Sequence, residues 1–81
     1  MSRILYVLDY LSHNTDAEKG ATLKEIQAYL LNQTNLGAVS VLSIKRDIER
    51  LDTMGYTVGV RKGAHNTAYY YMKERGFTFN E

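Results

Sequence analysis

The sequence predicts an α+β fold in which three helices precede a two-stranded β-hairpin. Two observations predict it. Apolar residues recur every three or four positions as far as Leu51, then every second position from Tyr56 to Val60, a change from helical to strand periodicity. A capping box, Thr22-Leu23-Lys24-Glu25, opens a fresh helix inside the helical region, since Thr22 and Glu25 can each satisfy the other's backbone N–H.

The elements follow in order. Residues Ser2–Ser12 read as the first helix, with Ser2 as N-cap, Ile4, Leu8 and Leu11 inward, and Leu5 and Val7 widening the stripe. The polar run His13–Ala21 contains Gly20 and reads as a loop. The second helix spans Leu23 to Asn32, with Leu23, Ile26 and Leu30 inward and Tyr29 or Leu31 beside them. Asn32-Gln33-Thr34-Asn35 ends it, because such side chains compete for backbone groups. Asn35-Leu36-Gly37 then turns the chain. The third helix occupies 40–54. Ser40 is its N-cap, Gly55 stands just past its end, and Val41, Ile44, Ile48 and Leu51 make one apolar stripe. Tyr56, Val58 and Val60 alternate with Thr57, Gly59 and Arg61 as a half-buried strand. Arg61–Thr67 is the turn, helped by Gly63 and Asn66, and Ala68–Met72 is the returning strand.

Helix, turn, helix and hairpin in this order make a winged helix-turn-helix. The third helix carries the candidate chemistry. Opposite its stripe lie Leu42, Arg46, Glu49 and Thr53, flanked by Ser43, Lys45 and Arg50. Short polar groups followed by Lys45 and Arg46 suit a helix whose N-terminal half enters a DNA major groove. Arg46 can pair with guanine O6 and N7 or grip a phosphate. As an ordinary surface residue it would pair with Glu49 instead. Leu42 can touch a thymine methyl, or pack on the second helix or on a partner chain. Asp47 would repel phosphate, so it is read as orienting Arg46, Arg50 or a backbone donor. At the hairpin tip, or wing, Arg61, Lys62 and His65 are phosphate-contact candidates, unless the tip is simply solvated. Among Tyr69, Tyr70 and Tyr71, packing is read ahead of base stacking.

Composition sets bounds. Eighty-one residues make one small domain, and there is no cysteine for a disulfide or a thiolate metal site. That usage fits a reducing compartment, and the expected location is cytoplasmic. The net charge of +1 is too small to argue for nucleic acid by itself, so the placement of the charges has to. Residues 1–36 carry more acidic than basic side chains, and residues 37–81 the reverse.

Four stretches now combine: Arg3–Leu11 (RILYVLDYL), Asn14–Ile26 (NTDAEKGATLKEI), Val39–Leu51 and Gly55-Tyr56 through Tyr70-Tyr71. The third contains Ile44, Arg46, Asp47 and Ile48 as Ile-x-Arg-Asp-Ile. Together they resemble the N-terminal winged helix-turn-helix of bacterial WYL-domain transcriptional regulators, a group close to the DeoR-type regulators. The resemblance implies sequence-specific binding of double-stranded DNA as a homodimer. It also implies a C-terminal WYL effector-sensing domain. On that basis residues 1–75 are the DNA-binding domain and 76–81 a tail or linker, with no effector ligand expected on this stretch. The resemblance places Ser40, Ser43, Lys45 and Arg46 in the groove. The chain departs from many relatives in carrying Val41 and Leu42 just after the capping serine, and in the order Leu36-Gly37 in the turn. Both apolar residues are counted among the DNA-contact candidates.

The expected function is therefore transcription regulation through double-stranded DNA. The contrasting expectation is a winged helix used as a protein-interaction module, which Val41, Leu42, Phe77, Phe79 and the low net charge would suit. Phe77 and Phe79 would serve a following domain or a dimer contact. No enzyme is expected, because no nucleotide-binding glycine motif, P-loop or H-E-x-x-H occurs and His13 and His65 are far apart in sequence. No metal and no cofactor are expected, and no membrane segment is read.

Overall fold

The three helices and the hairpin appear in the predicted order. They are α1 (Arg3–Asn14), α2 (Leu23–Gln33), α3 (Val41–Thr53), β1 (Val58–Lys62) and β2 (Ala68–Met72), with a short 3₁₀ turn at Ala64–Asn66. The structure is a computed structural model and describes residues 2–73. Phe77 and Phe79, and the proposed tail, lie outside the described residues.

One apolar cluster joins the elements. Val7 and Leu11 of α1, Ile26 and Leu30 of α2, Ile44, Ile48 and Leu51 of α3, Ala21 and Met72 are all buried. Their removal from water is the main favourable term holding the helices together. The predicted stripes are narrower in the fold than in the sequence. Ile4, Leu8 and Leu23 are half-buried at the rim, while Leu5 and Leu31 are exposed. Val41, placed in the α3 stripe by spacing, is also exposed. It sits in the first turn of α3, at the edge of the buried layer rather than within it.

The helix ends follow local chemistry. Ser2 occupies the N-cap of α1, but its side chain makes no capping hydrogen bond. At the other end α1 runs two residues past Ser12, because His13 and Asn14 bond back to the carbonyls of Asp9 and Tyr10. The capping box of α2 is complete: the Thr22 hydroxyl accepts from Glu25 N–H at 3.1 Å and Glu25 accepts from Thr22 N–H at 2.9 Å. Ser40 caps α3 by accepting from Ser43 N–H at 3.1 Å. Past α3, Gly55 has φ of 108°. Its N–H donates to Asp52 O and the Tyr56 N–H donates to Leu51 O, which is a Schellman ending. A side chain at Gly55 would be strained in that left-handed conformation. The same ending delays β1 to Val58, two residues after the alternation begins at Tyr56.

β1 and β2 pair antiparallel in the register Val58↔Met72 through Lys62↔Ala68. The loop before α2 is more ordered than its composition suggests. Ala21 exchanges both backbone hydrogen bonds with Tyr70 at 2.8 Å, on the edge of β2 away from β1. Thr15 fixes the other end of that loop. Its buried hydroxyl donates to Leu11 O at 2.7 Å and accepts from Met72 N–H at 3.0 Å. Thr15→Val should cost about 1–3 kcal/mol, since it strands the Met72 N–H. Thr15→Ser, which keeps the hydroxyl, should cost less; urea midpoints of the two variants would check the order.

Candidate nucleic-acid interface

α3 is held in one rotation by a charge pair at its middle. Arg3 of α1 donates through Nε to Asp47 Oδ2 at 2.5 Å and through Nη2 to Oδ1 at 3.2 Å. Asp47 is 2% exposed, whereas the Arg3 side chain keeps 40% of its surface. The hydrogen bond to Asp47 raises the Arg3 pKa above its ordinary value; partial desolvation opposes this, and the Asp47 charge reinforces it. Asp47 is thus structural, as expected, but its partner is Arg3 rather than Arg46 or Arg50. The pairing withdraws Asp47 from solvent, leaving Glu49 as the acid exposed beside Lys45 and Arg46.

That face holds exposed Leu42, Lys45, Arg46 and Glu49. Among the described residues the side chains of Lys45, Arg46 and Lys62 make neither an ion pair nor a hydrogen bond. Leu42 is 54% exposed and lies outside the apolar cluster. Val41 borders a shallow groove with Thr22, Leu23, Lys24, Thr67 and Ala68. The hydroxyl of Ser40 is committed twice within the cap, accepting from Ser43 N–H and lying 3.0 Å from Ser43 Oγ. Ser40 is therefore less available to a ligand than the sequence implies. Ser43 is half-buried beside it. Glu49 shares the exposed face with both cations, as the helical spacing places it, but among the described residues no Arg46–Glu49 ion pair forms.

The wing differs from expectation in its division of labour. β1 runs through Lys62, so Arg61 and Lys62 lie in the strand and point to opposite faces of the sheet. Arg61 sits on the outer face with its guanidinium over the Tyr71 ring, 5.4 Å from the centroid. It donates to the carbonyls of Ala17 and Glu18. Those bonds clamp the wing to the loop before α2 and direct two of the five guanidinium N–H groups away from a phosphate. Lys62 shares the inner face with Val60 and stands opposite Ala68, which borders the groove beside Val41. Tyr70 packs on the core, while Tyr69 and Tyr71 cover glycines 20, 59 and 63. All three rings are thus used in packing.

The tip itself is Gly63–Thr67. His65 and Asn66 both have positive φ, 57° and 60°. For histidine that conformation costs about 1–2 kcal/mol relative to the right-handed one, and glycine would adopt it freely. His65→Gly should therefore raise stability by about 0.5 kcal/mol after the entropy cost of glycine. If His65 contacts phosphate, the same variant should bind DNA more weakly. Thermal unfolding and a DNA titration, read together, check it; unchanged affinity would remove His65 from the interface.

Among the described residues no group of three or more His, Asp or Glu side chains is placed to hold a metal ion. No described helix is long and apolar enough to cross a membrane. No family model, curated protein or solved structure matches the chain.

Proposed function

We propose that this chain binds double-stranded DNA and regulates transcription, with α3 in the major groove and the wing on the phosphate backbone. One observation carries the reading: Lys45 and Arg46 stand exposed and unpaired on α3 among the described residues, while Asp47 between the helices is neutralised by Arg3. A winged helix presents that face of its third helix to a groove wide enough to admit it. The resemblance to WYL-domain regulators supports the same reading. It adds a homodimer, which would place two such helices on two half-sites.

A fluorescence-anisotropy titration of a random-sequence duplex at two salt concentrations tests this. Binding should fall at about 10⁻⁴–10⁻⁶ M and weaken steeply as salt rises. No binding at low salt would discard DNA as the partner. A protein-interaction module would then be the reading, and the exposure of Leu42, Met54 and Val60 favours it.

A further inference from the structure

We propose that Leu42 is a specificity-determining residue that reads the 5-methyl group of a pyrimidine in the major groove. The inference rests on the DNA-binding reading and narrows it to a feature of the preferred site. A recognition helix contacts base edges mainly through its N-terminal residues. In α3 that turn has little polar chemistry to offer. Ser40 is spent on the cap, and Val41 turns toward the groove bordered by Thr22 and Ala68. Leu42 is the residue that projects outward, 54% exposed and unsupported by the core. A single exposed leucine is ordinary on a protein surface. This one stands one helical turn before Arg46 and beside Lys45, two cations with no partner among the described residues. Such a rim favours a polyanion over an apolar protein surface. The apolar feature that DNA offers in its major groove is the pyrimidine 5-methyl group.

The geometry also fixes where that group should lie. Four residues of helix rise about 6 Å, close to two base-pair steps. The methyl should therefore fall within about two steps of the base that Arg46 contacts. Thymine and 5-methylcytosine both carry it, so the recognised feature is the methyl rather than one base.

The test begins with a duplex enriched from a random library by the parent protein. Each thymine is then replaced in turn by deoxyuridine. At one position the parent should lose about fourfold in affinity, the factor that burying one methyl corresponds to. Leu42→Ala, at a position exposed enough to leave the fold intact, should bind the thymine and uracil duplexes equally at that position. Changing that pair to 5-methylcytosine·guanine should bind the parent about fourfold better than cytosine·guanine, again with no difference for Leu42→Ala. DNA binding with no methyl-dependent position, or with the same dependence in Leu42→Ala, overturns the role of Leu42 alone. Failure of the parent to bind any duplex overturns the DNA reading and this inference with it.

Discussion

Arg3→Met should destabilise the domain by about 3 kcal/mol, the lower end of the range for breaking a buried ion pair. The variant leaves the Asp47 carboxylate 2% exposed and without its counter-charge. The low end applies because Arg3 itself is partly solvated, so water already reaches one side of the pair. For a domain of this size the expected loss in Tm is roughly 12–24 °C. The reverse change should be milder. Asp47→Leu leaves a guanidinium that can rehydrate, and the leucine joins Ile44, Ile48 and Leu51. The double variant Arg3→Met/Asp47→Leu should recover most of the stability, because apolar replacement of a buried pair is often neutral. Thermal and urea unfolding of the three variants decide the matter. A double variant as unstable as Arg3→Met would mean that the pair supplies net stability rather than the rotation of α3.

This pair also shows where a single sequence stops being informative. The third helix was legible end to end. Ser40 announced its cap, Ile44, Ile48 and Leu51 its buried stripe, and Gly55 its left-handed exit, each a local rule. The partner of Asp47 was not legible, because local rules offer only helical neighbours and Arg3 lies on another helix. Thr15 and Ala21 were missed for the same reason: one hydroxyl and one residue pairing with β2 have no period to detect. Arg61 is a different case. Its orientation followed from alternation once β1 was carried through Lys62, and beginning the turn at Arg61 hid that two adjacent cations face opposite ways. Val41 failed through the helix end, where spacing continues but the side chain lies at the edge of the buried layer.

Splitting Lys45→Ala from Arg46→Ala should separate the two things that α3 is proposed to do. Both residues are exposed, so each variant should keep its Tm within the effect of about 0.5 kcal/mol usual for surface changes. A lysine on phosphate contributes affinity without sequence preference. Lys45→Ala should therefore weaken all duplexes alike and lower the slope of log K against log salt by about 1. An arginine held bidentate on guanine behaves otherwise. Arg46→Ala should cost about 1–3 kcal/mol on an enriched site but little on a random duplex, and should relax selection at one position. Glu49 sharpens the contrast, because an acid on the same face opposes phosphate and lowers the background that a base contact must exceed. If both variants instead lose affinity uniformly and shed equal salt slope, Arg46 is a phosphate clamp, and base reading shifts to the first turn of α3. If neither variant changes binding, the face opposite Ile44, Ile48 and Leu51 does not meet DNA, and a protein partner becomes the better account of Leu42 and Val60.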